Sequence, residues 1–237
     1  MIIKNKGVMF DFITESWNPV AMNCPHDCCY CWATALKKGR LKDFPRYKNL
    51  TDPVLVAHEL SKRFDAEDFV FVETMGDLFF DGLPDRFVYA VLKVIKSSPA
   101  MFLLLTKDPE RMLEFFPSFP KNVMLGITIE SDKDYPELSY APLQSQRFYW
   151  ANRIARSLET DDRGIKLFIS IEPILDFTNK FYTQLYRLRK VLWGVAIGYD
   201  NYIHRLPEPS LKRTNELSRQ LDKILPRVYL KTLRKKR

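Results

Sequence analysis

The chain has 237 residues, 46% of them apolar, and 37 Lys plus Arg against 29 Asp plus Glu for a formal charge of +8. That length suits one α/β domain with a sizeable core and is short for two with a linker, so a single domain over residues 1–237 is expected. No run approaches the roughly 18 consecutive apolar residues of a membrane span, and residues 1–6 are not followed by the apolar stretch of a signal peptide; these features exclude a membrane partner and predict a soluble, cytoplasmic protein.

In chain order, a first strand is predicted over residues 18–22, then a cysteine-rich loop over 23–33 that runs into a helix over 30–38. Asp52-Pro53 places a capping side chain before a proline at a first helical position and predicts a helix over 53–64; Asp108-Pro109 does the same for 109–116. Between and after these, strands are predicted over 69–74, 101–106, 123–129, 166–171 and 192–197, with 227–230 a seventh, and helices over 85–96, 143–157, 180–189 and 210–224. The runs "FVFV", "MFLLL" and "LFISI" are continuously apolar, as strands covered on both faces are. About six βα units imply a parallel sheet, and a chain short of the roughly 250 residues of a full barrel points to a partial one. The core is expected over about 17–198, with a C-terminal helix and tail over about 207–237; the basic residues of 231–237 read as a solubilising end.

All four cysteines fall between Cys24 and Cys31, which no disulfide framework does, because a framework staples distant loops. Cys24, Cys28 and Cys31 stand in a C-x3-C-x2-C spacing with Tyr30 before the last. Thiolates suit iron-sulfur clusters and zinc alike, so the ligand type leaves open a zinc site completed by Cys29 or His26; in a cluster site Cys29 reads as a small filler. The histidines are assigned no chemistry. Polar side chains follow nearly every predicted strand: Asp77, Lys107, Glu130 and Glu172. In parallel α/β folds ligands bind at that edge, so these residues converge with the cysteines. Each has a plainer reading: Asp77 as a turn cap, Lys107 as a partner of Glu110, and the two glutamates as satisfied buried carboxylates.

A C-x3-C-x-aromatic-C motif after a first strand resembles the signature of the radical S-adenosylmethionine superfamily. "WNPV" at 17–20, "GDLF" at 76–79, "LLTK" at 104–107, "PERM" at 109–112, "LGITIE" at 125–130 and "ISIEPIL" at 169–175, in that order, resemble a phage- and archaea-associated branch of unknown function. The resemblance implies a radical SAM core built as a partial parallel (β/α)6-type barrel. It implies a 4Fe-4S cluster on Cys24, Cys28 and Cys31 whose open iron binds S-adenosylmethionine. Reductive cleavage of that cofactor gives a 5'-deoxyadenosyl radical that modifies or repairs a substrate. An external electron donor of flavodoxin or ferredoxin type is implied too. Gly76 and Asp77 stand where the superfamily's Gly-Gly-Glu-like turn receives the methionine amino group, with Met75 in place of the first glycine. Tyr30, Lys107, Glu130, Ser170 and Glu172 are the other cofactor-binding candidates at the rim. Charge and aromatic content favour nucleic acid or a nucleotide as substrate. A non-catalytic zinc-bearing nucleic-acid-binding module and an iron-sulfur electron carrier or redox sensor are the competing readings. With one cysteine outside the triplet, no auxiliary all-cysteine cluster can be built within the chain.

Overall fold

The structure is a computed structural model that describes residues 2–4, 9–202 and 204–231. Its strands, in chain order, are β1 (Ile2–Lys4), β2 (Glu15–Trp17), β3 (Val20–Ala21), β4 (Val54–Leu55), β5 (Phe69–Val72), β6 (Met101–Thr106), β7 (Val123–Thr128), β8 (Lys166–Ile171), β9 (Leu192–Ile197) and β10 (Val228–Leu230). Eight of them form one sheet in the order β1-β10-β9-β8-β7-β6-β5-β2, and β3 and β4 form a separate antiparallel pair. Every neighbouring pair in the large sheet is parallel. Its edge strands β1 and β2 are not paired with each other, so the expected partial parallel barrel is what forms.

The helices are α1 (Trp32–Lys38), α2 (Asp85–Ser97), α3 (Pro109–Glu114), α4 (Gln144–Glu159), α5 (Lys180–Arg187) and α6 (Leu211–Asp222). From α2 onward each is the crossover between successive parallel strands. The period-2 alternation of a strand divides its side chains between two cores. In β6, Phe102 and Leu104 belong to the large core with the helix residues Val88, Val91 and Ile95. Leu103 belongs to a second core on the other face, with Met124, Phe168, Ala196 and Tyr229. Phe10 and Phe12, from the segment between β1 and β2, fill that second face: Phe12 has its ring centroid 4.8 Å from Trp193, 5.2 Å from Tyr229 and 5.4 Å from Phe168.

Three sequence expectations need correction. The large-sheet strand that precedes the cysteine loop is β2 at Glu15–Trp17, earlier than 18–22; within 18–22 only Val20–Ala21 is a strand, β3, in the small sheet. Residues 53–64 are not an α-helix: β4 pairs with β3, and a 3-10 turn over Ala57–Ser61 follows. The six-strand estimate falls short by β1 and the seventh-strand candidate, now β10, both on one edge of the sheet. Of the basic tail, residues 232–237 lie outside the described residues, while Lys231 is held by its N–H on the Ile197 carbonyl at 2.9 Å. No helix among the described residues is long and apolar enough to cross a membrane.

Candidate cofactor site at the cysteine loop

The loop between β3 and α1 carries all four cysteines, and all are free thiols. Cys31 caps α1: its sulfur accepts from the Thr34 N–H at 3.5 Å, and its carbonyl accepts from Ala35 at 3.1 Å. Cys28 is buried, with its sulfur 3.1 Å from Ser139 Oγ. The loop is pinned from outside by Cys29 N–H on the Leu138 carbonyl at 2.9 Å and by Tyr140 N–H on the His26 carbonyl at 2.8 Å. Cys29 is exposed, so it is not the packed filler expected of it.

Cys24, Cys28 and Cys31 line a cavity of about 390 Å³ at the carboxyl edge of the sheet. The same cavity is lined by Tyr30, Gly76, Asp77, Lys107, Ser170 and Glu172 from the candidate set. Burial, with Asp77 adding to it, pushes the Cys24 thiol up to about 12, so a metal must displace a proton there. Among the described residues no three His, Cys, Asp or Glu side chains converge on one ion position.

Glu130 is fully buried and outside the cavity lining. Its Oε1 accepts from Tyr30 Oη at 2.7 Å and pairs with the Lys107 amine; its Oε2 accepts from Gln144 Nε2 at 2.6 Å and Arg147 Nη1 at 2.5 Å. Burial alone would raise its carboxyl, but Arg147 and Lys107 outweigh burial and hold it at about 2. Both oxygens are thus taken, and Glu130 works by holding Lys107 and Tyr30, which do face the cavity. Lys107 also lies over the Tyr30 ring, 5.1 Å from its centroid, and its ion pair is with buried Glu130 rather than with Glu110 or another surface acid.

Asp77 is in the same condition. Phe79 N–H (2.9 Å) and Thr106 Oγ1 (2.7 Å) reach Oδ1, while Lys107 N–H (2.9 Å) and His26 Nε2 (3.0 Å) reach Oδ2. A carboxylate has about four accepting positions, and here the chain itself fills them. Burial opposes the charge, yet the His26 hydrogen bond and the other donors hold the Asp77 carboxyl below its ordinary value. The expected bond from Asp77 to a ligand's ammonium has no free lone pair to use. What Asp77 does is tie the β5 loop to the cysteine loop through His26 and to the end of β6 through Thr106. Gly76 beside it packs closely on Met22: a Cβ there would stand 2.5 Å from Sδ, and the Met22 side chain would have to shift.

On the opposite wall Ser170 Oγ meets Glu172 Oε2 at 3.3 Å, and Glu172 pairs with Lys231 at 3.1 Å. Gly198 leaves the room: a Cβ there would be 2.6 Å from Glu172 Oε1. Burial raises the Glu172 carboxyl, with Lys231 opposing. Sequence reasoning missed His26, Glu73, Gln144, Arg147 and Lys231. A signal existed for Gln144 and Arg147, polar residues at i and i+3 that share one helical face with buried Phe148, Ala151 and Ile154. None existed for His26, whose partner lies 51 residues away.

Partial barrel and thiol-bearing loop together define an α/β protein with a ligand cavity at the carboxyl edge of its strands. The chain belongs to the family described as "Protein of unknown function (DUF5131)", whose model matches residues 8–200. No curated protein matches it in sequence. Among solved structures it is similar to a cysteine-to-serine mutant of spore photoproduct lyase, at 10% identity and a TM-score of 0.58 over 97% of this chain and 81% of that one. It is also similar to Streptococcus suis SuiB, at 10% identity and a TM-score of 0.48 over 95% of this chain and 50% of that one.

Proposed function

We propose that the chain is a radical S-adenosylmethionine enzyme of the phage- and archaea-associated branch, acting on nucleic acid or a nucleotide and supplied with electrons by a flavodoxin- or ferredoxin-type donor. The observation that carries this reading is the placement of three thiols, Cys24, Cys28 and Cys31, on one wall of a cavity at the strands' carboxyl edge. The fold it shares with spore photoproduct lyase supports the reading. The donor set fits the cluster: three soft sulfurs with no fourth cysteine facing the cavity, beside a loop that Gly76 lets approach closely. When bound, cluster and S-adenosylmethionine supply reductive cleavage of the sulfonium to a 5'-deoxyadenosyl radical that abstracts hydrogen.

The chain's own residues hold and screen that chemistry. Tyr30 and Lys107, braced by Glu130, present a hydroxyl and an amine to the cavity, while Phe10, Phe71 and Leu105 form apolar wall that keeps water out. Ser170, Glu172 and Lys231 stand on the wall formed by β8 and the residue after β10, where the substrate's polar groups would meet them.

The test is anaerobic reconstitution with iron and sulfide. About four irons and four sulfides per chain are expected, with loss of the cluster in Cys24→Ala, Cys28→Ala and Cys31→Ala, retention in Cys29→Ala, and 5'-deoxyadenosine formed on reduction with S-adenosylmethionine. A stoichiometric zinc content without sulfide would establish the zinc module instead, and a cluster that forms without binding S-adenosylmethionine would establish the electron carrier.

A further inference from the structure

Glu73 directly follows β5, and its backbone is left-handed there, with φ of +57°. A non-glycine residue adopts that conformation at a cost, and such residues gather at ligand sites. Its N–H donates to the Trp17 carbonyl at 2.8 Å, which fixes the turn against the neighbouring strand. The side chain is 2% exposed and lines the cavity that the thiols line. Oε1 accepts from the Val20 N–H at 2.6 Å, but Oε2 has no hydrogen-bond partner. Buried acceptors left unmade are rare in folded proteins and call for an explanation.

The charged groups nearest Glu73 do not supply one. Lys37 spends its amine on the carbonyls of Met22 (2.8 Å) and Met75 (3.2 Å). Arg46 gives Nη1 to Glu59 at 3.0 Å and Nη2 to the Asn18 carbonyl, while its Nε has no partner and does not reach Glu73 Oε2. Glu59 is itself an acid and adds to the pressure against charge. Burial, opposed by the Val20 bond, Arg46 and Lys37, leaves the carboxyl raised to about 8, so near neutral pH it keeps its proton. Four residues further on, Asp77 has the charge and lacks the free oxygen; Glu73 has the free oxygen.

We propose that Glu73, rather than Asp77, is the carboxyl group that receives the ligand of this cavity, its free Oε2 accepting an N–H of the amino group of S-adenosylmethionine. The proposal rests on the cofactor reading above and deepens it by moving the amino subsite from the residue that the motif marks to one that no motif marks. Glu73 gives its proton to solvent as it takes up this role, and no other bond changes.

The experiment uses the anaerobically reconstituted protein and its Glu73→Gln variant. Each is titrated with S-adenosylmethionine and with the deaminated analogue that carries hydrogen in place of the amino group, while iron content and the cluster absorption confirm that both proteins are loaded. Glutamine keeps the Val20 bond and the neutral charge that the buried side chain already has, so folding is preserved. Glu73→Gln is expected to weaken S-adenosylmethionine roughly ten- to a hundredfold, the loss of one charge-assisted hydrogen bond, and to leave the deaminated analogue within about twofold of the parent. Equal binding of S-adenosylmethionine by both proteins overturns the assignment, and so does equal weakening of both ligands, which marks damage to the cavity. Asp77→Asn serves as the comparison: a selective loss there with none in Glu73→Gln returns the subsite to Asp77. A loaded parent protein that binds neither ligand overturns the cofactor reading and this proposal with it.

Discussion

Glu73 and Glu130 are two fully buried carboxyl groups with opposite protonation. Glu130 has Arg147 and Lys107 against it and is held at about 2, below its ordinary 4.5; Glu73 lacks such partners and is raised from 4.5 to about 8. The signs follow from proton counting. Between pH 4.5 and 2 the unfolded chain binds a proton that folded Glu130 refuses, so stability falls as the medium is acidified through that window. Between pH 4.5 and 8 folded Glu73 holds a proton that the unfolded chain has lost, so its contribution declines as pH rises. Glu73→Gln carries no such proton, so its melting temperature relative to the parent's should climb from pH 5 to pH 8, measured by thermal unfolding in the two buffers. A parallel pH dependence of parent and variant would show that Glu73 is charged in the folded chain. A residue that weakens the fold near neutral pH while facing a ligand cavity is what function, rather than stability, retains.

At the scale of elements, the cysteine loop stays in place because it is bonded to its neighbours, and the Asp77–His26 contact is one such tie. Asp77→Asn keeps the shape but offers an NH2 where Lys107 N–H and His26 now donate. A loss of about 1.5–3 kcal/mol is expected, the worth of hydrogen bonds to a charged group, read from the denaturant midpoint; an unchanged midpoint would free Asp77 for a ligand role. The sequence was legible where an element is long and doubly covered. In "MFLLL" each alternate side chain has a core of its own, which is why strand 101–106 is found to the residue. It misleads at 53–64, where the Asp52-Pro53 start signal is local and the outcome is tertiary. Val56 N–H goes to the Pro19 carbonyl at 2.8 Å, and the Glu59 carbonyl accepts from Trp17 Nε1 at 3.1 Å; these contacts replace the helical ladder. β1 and β2 are three residues each, too short for any period to show, and exist because β10 and β5 offer them free edges. The three cysteines that line the cavity were singled out by their spacing, which left iron-sulfur and zinc both open. His26, Glu73 and Lys231 were not, because their partners Asp77, Val20 and Glu172 lie 51, 53 and 59 residues away.

For the whole molecule, the sheet stays open between β1 and β2, and segments from near the chain's two ends meet over its concave face. Phe10, near the start, stacks on Phe12 at 5.5 Å and meets Phe168 edge-on at 5.0 Å; the Lys231 amine, at the far end of the described chain, lies 4.4 Å above the Phe10 ring. Lys231 in turn is the cation of Glu172, and Gly198 gives the pair its space. Charged side chains 8% and 17% exposed are costly to desolvate, and an apolar pair would close the fold at least as well, so their retention points to the cavity they line. The energetics of the pair can be separated from the rest by a double-mutant cycle. Lys231→Met leaves Glu172 largely buried without a cation and should cost about 3 kcal/mol, near the lower end of what breaking a buried pair costs. Glu172→Gln in the same chain removes the stranded charge, so the double variant should regain most of that loss, with denaturant midpoints of all four proteins as the measurement. Strictly additive losses would mean that the two side chains do not sense each other in solution, and that the β8 wall of the cavity carries a bare acid where the structure shows an ion pair.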